Sequence, residues 1–87
     1  MSDSKNTKSI ELVQEQTAVD EVLRSVYQAL QTKGYDPVSQ IVGYIMSGDP
    51  TYITSYANAR YQISQVERDD ILEVLLRTYI REVLEKE

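Results

Sequence analysis

Residues Gly34–Ile53 read GYDPVSQIVGYIMSGDPTYI, and this stretch decides the fold. It carries the dipeptide Asp-Pro twice, at Asp36-Pro37 and at Asp49-Pro50. Aspartate is a good helix N-cap, and proline suits the first helical position, where its missing N–H costs nothing. Each pair therefore predicts a helix start. Between them Val38, Ile41, Val42, Ile45 and Met46 recur at the spacing of one helical face. Gly48 then supplies the left-handed residue that ends a helix. The segment reads as helix, stop, and a second short helical turn reaching Ile53. Gly43 lies inside the first helix at a cost of about 1 kcal/mol against alanine. It implies either the close approach of another backbone or simple tolerance.

Upstream, Val19, Val22, Leu23, Val26, Tyr27 and Leu30 form an i, i+3, i+4, i+7 stripe that predicts a helix from about Ala18 to Lys33. Thr17 is placed to cap it, with Asp20 and Glu21 favourable in the first turn. Gly34 follows where a left-handed terminator is wanted. Downstream, residues 57–63 predict a short helix containing Ala59, Arg60 and Ile63. Ser64-Gln65-Val66-Glu67 then has the form of a capping box opening the last helix. That helix is apolar over more than one face, from Ile71 and Leu72 through Leu75, Leu76, Tyr79 and Ile80 to Leu84. An arc so wide is buried on two sides, and 87 residues offer little chain to cover both. The excess face predicts self-association through Leu72, Leu76, Tyr79 and Ile80; the alternative is one generous core face with stray leucines.

Residues 1–16 differ in kind. They are polar and hydroxyl-rich, with Ser2, Ser4, Thr7 and Ser9 interleaved with Lys5 and Lys8. They read as a flexible N-terminal arm, with 17–87 as the helical dimerisation and regulatory domain. The fold class is all-α: a small compact helical domain that forms a helical homodimer. All seven aromatics are tyrosines. Tyr35, Tyr44, Tyr52, Tyr56 and Tyr61 cluster around the two Asp-Pro turns, which predicts half-buried packing with hydrated hydroxyls.

Composition argues against most chemistry. The chain has no cysteine and no histidine. No disulfide or thiolate metal site can form, and the usual neutral-pH base and commonest metal ligand are missing. The expectation is no enzyme, no metal and no cofactor. A net charge of −5 and a pI near 4.6 disfavour nucleic acid, whose binding rests on Lys and Arg. No apolar run approaches the roughly 20 residues that span a bilayer. Met1-Ser2-Asp3-Ser4-Lys5 leads into no apolar signal core, so cytoplasmic residence is expected. Gly34, Gly43 and Gly48 are too far apart for a phosphate loop.

The segment Gly34–Ile53, with Val26-Tyr27-Gln28-Ala29-Leu30, Ala59-Arg60 and Glu67-Arg68-Asp69, closely resembles the IreB regulatory phosphoprotein family of Gram-positive bacteria. The likeness covers about residues 17–84. It implies a small helical homodimer that is a substrate of membrane-anchored Ser/Thr protein kinases with PASTA repeats. It further implies regulation of peptidoglycan synthesis and tolerance of cell-wall antibiotics. In some members the output is Clp-dependent proteolysis of a wall-precursor enzyme, which brings in protease adaptor proteins as partners. The family's phosphothreonine falls at Thr7 here, and Ser4 stands where some members have a second. Arg60, Arg68 and Asp69 are the residues carried over as partner-binding. The family usually shows a basic cluster after its Asp-Pro-x-Tyr-Ile. This chain has Thr54-Ser55-Tyr56-Ala57-Asn58 instead, so that surface is weakened or re-specified. A constitutive helical adaptor or structural dimer, uncontrolled by phosphorylation, is the competing reading.

Overall fold

Asp36 and Pro37 start a helix for reasons visible atom by atom. In the computed structural model Asp36 has extended backbone, and its Oδ2 accepts from Ser39 N at 3.4 Å and Ser39 Oγ at 2.6 Å. The structure describes the backbone of residues 2–86 and the side chains of Gln14 and residues 16–86. The described residues form α1 (Ser2–Thr32), α2 (Pro37–Ser47), α3 (Ala59–Ile63) and α4 (Arg68–Glu82), with 3-10 turns at Pro50–Tyr52, Tyr56–Asn58 and Leu84–Lys86. There is no strand among them.

Gly48 ends α2 in the left-handed region at φ 76°, its N–H donating to Tyr44 O at 2.7 Å. Asp49 then repeats the capping move. Its Oδ1 accepts from Thr51 N at 3.0 Å and Thr51 Oγ1 at 2.7 Å, and Pro50 leads a 3-10 turn. Gly43 is required by a ring rather than a backbone: a Cβ there would lie 2.8 Å from Tyr52 Cζ. Gln40 Nε2 donates to Tyr52 O at 2.8 Å, so the turn is held against α2 by one hydrogen bond and one close packing contact.

Two local expectations are corrected. α1 runs through Thr17 rather than starting there, because no proline or glycine interrupts residues 2–17. The reading of 1–16 as an arm, with the acceptors Thr7 and Ser4, lies outside the described side chains. Ser64 does not cap α4. Its N and Oγ both donate to Tyr61 O, at 3.2 and 2.6 Å, closing α3. With that hydroxyl engaged, the N-cap of α4 falls three residues later at Glu67, whose side chain makes no cap hydrogen bond.

The core is one cluster. Val19, Val26, Ala29 and Leu30 of α1 pack with Ile53, with Ala59 and Ile63 of α3, and with Ile71 and Val74 of α4. Each Val, Leu or Ile fully buried contributes about 1.5–3 kcal/mol. Tyr44 is the buried tyrosine; Tyr35, Tyr52, Tyr56 and Tyr61 are exposed. The Lys33 ammonium stands 5.3 Å over the Tyr56 ring. Ala57 and Asn58 adopt φ 52° and 64°, left-handed values that asparagine tolerates and alanine resists.

Candidate functional site

The last helix has two apolar faces, as its sequence predicts. Ile71 and Val74 are buried in the core. Leu72, Leu76, Tyr79 and Val83 follow one another at spacings of four, three and four, and so share a second stripe. Leu72, Leu76 and Tyr79 are 53%, 56% and 53% exposed. Ile80 follows Leu76 by four residues, at the edge of that stripe. It is half-buried and lines a cavity with Gln16 of α1 and with Arg77, Arg81 and Glu85.

α2 doubles this surface. Val38, Val42 and Met46 lie at i, i+4, i+8, and Met46, at 78%, is the most exposed large apolar side chain described. Met46 and Leu72 line the same cavity of about 520 Å³, with Ile45, Glu67, Arg68 and Asp69, so the two stripes join. The seven exposed apolar side chains named for α2, α4 and its C-cap present on the order of 700 Å², close to what one partner brings to a standard protein–protein interface. Isolated monomers rarely expose a contiguous apolar patch beyond a few hundred Å². Sequence reasoning found the α4 half and missed the α2 half. The signal was present as five apolar positions on an eleven-residue helix, more than one core-facing stripe needs.

The carried-over polar residues divide. Arg68 Nη1 donates to Ile45 O at 2.9 Å, and its guanidinium lies against Gly48, where an added Cβ would meet Cζ at 2.9 Å. Arg68 thus satisfies a free carbonyl at the end of α2 and locks α2 to the start of α4. Asp69 lies beside it, exposed in the first turn of α4, where negative charge suits the helix dipole. Arg60 is not part of this cavity. It is half-buried, and its Nε donates to Ile53 O at 2.8 Å, pinning the loop that delivers Ile53 to the core.

Electrostatic perturbation follows the caps. The Ser39 hydroxyl holds the Asp36 carboxyl below its ordinary value, and the Thr51 hydroxyl does the same for Asp49, with Arg60 adding to it. The Arg81 guanidinium, then Lys86, lowers Glu82. Among the described residues no group of three His, Cys, Asp or Glu could hold a metal ion. No described helix is long and apolar enough to cross a membrane. Among the described residues the arrangement offers an exposed apolar surface.

Known proteins resemble this chain over most of its length. A family described as "IreB regulatory phosphoprotein" matches residues 5–81. A UPF0297 protein of Acetivibrio thermocellus is 60% identical over 67 residues, covering 77% of this chain and 74% of the relative. One from Lachnoclostridium phytofermentans is 61% identical over 67 residues, covering 77% and 76%. A third, from Ruminiclostridium cellulolyticum, is 58% identical over 60 residues, covering 69% and 68%.

Proposed function

Because the chain belongs to the IreB regulatory phosphoprotein family, we propose that it is a non-enzymatic cytoplasmic regulator that acts through protein contacts. Its working form is a homodimer joined through the α2–α4 apolar face. Its input is phosphorylation by a PASTA-type Ser/Thr kinase at Thr7, with Ser4 as a second acceptor. Its output is control of peptidoglycan synthesis and antibiotic tolerance, through Clp-dependent proteolysis of a wall-precursor enzyme and the adaptor proteins that serve it. The observation that carries the dimer is the exposed stripe of Leu72, Leu76 and Tyr79 running on into Val38, Val42 and Met46. A phosphate on a surface segment changes charge by up to about two units without disturbing a core, which suits a device that switches contacts.

The test is direct. The chain is incubated with a PASTA-type kinase domain and ATP, and the phosphate is mapped by mass spectrometry. Thr7→Ala should lose most of the incorporation. Equal labelling of wild type and Thr7→Ala rejects the acceptor. Labelling at Thr7 that changes neither partner binding nor wall-enzyme levels in cells rejects the regulatory reading.

A further inference from the structure

The face between α1 and α3 is built differently from the apolar stripes. Glu21, Ser25, Gln28 and Thr32 follow one another on α1 at spacings of four, three and four, so they share one stripe. Gln65, Gln62, Ala57 and Tyr56 stand across from them, in reverse order along the chain. Glu21 and Gln65 line one cavity of about 310 Å³. Gln28, Thr32, Tyr56 and Ala57 line a second of about 280 Å³. Ser25 and Gln62 line both, so the two form one groove. From Glu21 to Thr32 it runs about 16 Å along α1. Among the described residues, none from α2 or α4 lines it, so it is separate from the α2–α4 apolar face.

The middle of this groove is polar and uncharged, in a chain of which 26% of residues are charged. Charge stands only at its ends. Glu21 lies at one, and at the other the Lys33 ammonium sits 5.3 Å over the Tyr56 ring. Among the described residues neither charge forms an ion pair. The side chains of Ser25, Gln28, Thr32 and Gln62 bond to no other described residue, and Gln65 Nε2 has only a 3.3 Å bond to Ser64 Oγ. Each glutamine amide carries donors and an acceptor in one plane, which suits the N–H and C=O groups that an extended main chain presents. A solvated helix face mixes charges of both signs along its length, whereas depletion of charge at the centre with a tyrosine beside it is the composition of a protein-binding surface. Ala57, in the groove wall, keeps a left-handed φ of 52°, a strain of the sort retained at contact sites. We propose that the α1–α3 groove holds an extended segment of a partner protein, about five residues long at about 3.3 Å each. That segment is uncharged and polar in its middle, basic at the Glu21 end and acidic at the Lys33 end. Gln28 and Gln62 bond its main chain, one from each wall, and the end charges set its register. This deepens the reading that the chain acts through protein contacts, and it needs neither the phosphate nor the dimer.

The probe is a pool of capped pentapeptides with lysine at one end, glutamate at the other, and mixed serine, threonine, asparagine and glutamine between, made in both orders. A second pool has alanine at both ends. Binding is read by NMR on the full isotope-labelled chain, from its backbone and side-chain amides. The charged pool should shift the amides of Gln28, Gln62 and Gln65 and leave those of Met46 and Leu72 in place. It should bind at least about threefold more tightly than the alanine-ended pool, as two exposed ion pairs allow, and Glu21→Gln with Lys33→Gln should erase that difference. Gln28→Ala with Gln62→Ala should weaken binding about tenfold, since one hydrogen bond is worth a factor of about two to ten. All four positions reach solvent, and circular dichroism checks that the variants are helical. Groove amides that stay in place at millimolar pool overturn the proposal, as do shifts confined to the α2–α4 face or equal binding of the two pools. The kinase mapping is independent. A chain that binds the charged pool but is not labelled at Thr7 keeps its groove and loses its acceptor; one that is labelled but ignores both pools keeps its acceptor and loses its groove.

Discussion

Leu76→Asp separates a dimer face from a decorative surface. In the protomer Leu76 is 56% exposed, on the α4 stripe that faces away from the core. An aspartate there has water available, so the protomer itself should lose less than about 1 kcal/mol, the sum of a surface change and a lower helix propensity. The exposed part of the leucine is on the order of 100 Å², worth about 2.5 kcal/mol if a partner covers it. A two-fold interface loses this twice, about 5 kcal/mol, and every 1.4 kcal/mol is a factor of ten. The dimer dissociation constant should therefore rise at least a thousandfold, before any cost of burying an unpaired carboxylate is added. Sedimentation equilibrium across micromolar concentrations measures this, with circular dichroism recording whether the protomer stays helical. Ile71→Asp is the contrast. Ile71 is fully buried, so that change should unfold the protomer itself. The reasoning is refuted if the wild type sediments as a 10.0 kDa species, or if Leu76→Asp moves the constant by less than tenfold.

Three further outcomes follow from the local geometry. Asp36→Ala and Asp49→Ala each remove a capping carboxylate and should lower the urea midpoint, Asp36→Ala more because it caps the longer helix. Both carboxyls titrate below their ordinary 3.8 in the folded chain, so the stability they add is present above that pH and lost as the pH falls through the lowered folded value; the acid limb of a stability-versus-pH curve should flatten in the double variant. Ala57→Gly should raise the melting temperature, because Ala57 is exposed at φ 52° and sheds about 1 kcal/mol of left-handed strain; an unchanged or lower value would mean the unfolded-state entropy of glycine wins. Gly48→Ala should destabilise by about 1–2 kcal/mol from its φ of 76° alone, and its Cβ would also displace the Arg68 guanidinium from the end of α2, read as a lowered urea midpoint.

Short-range chemistry was legible at the two Asp-Pro starts and at Gly48. Asp36-Pro37, Gly48 and Asp49-Pro50 have the torsions and side-chain bonds that their identities require, because a cap is settled within four residues of chain. Helical spacing placed the buried Val19, Val26, Leu30, Ile71 and Val74 for the same reason. Ser64 shows where this stops. Its hydroxyl had two helices within reach, and only packing decided that it closes α3 rather than opening α4. Gly43 shows it again: a missing Cβ says that something comes near, while the Tyr52 ring is brought there by the turn at Asp49. Arg68 reads as a free surface cation until α2 and α4 meet and place the Ile45 carbonyl under it. The apolar face was half visible for a related reason. Amphipathic period reveals how many positions on a helix want to leave water, and it does not say which of them their own core will take. Val38, Val42 and Met46 became an outward stripe only because Tyr44 and the half-buried Ile41 and Ile45 supply α2's contacts to the core. That choice is made by the packing of α1, α2 and α4 against one another over long stretches of chain, where no local rule operates.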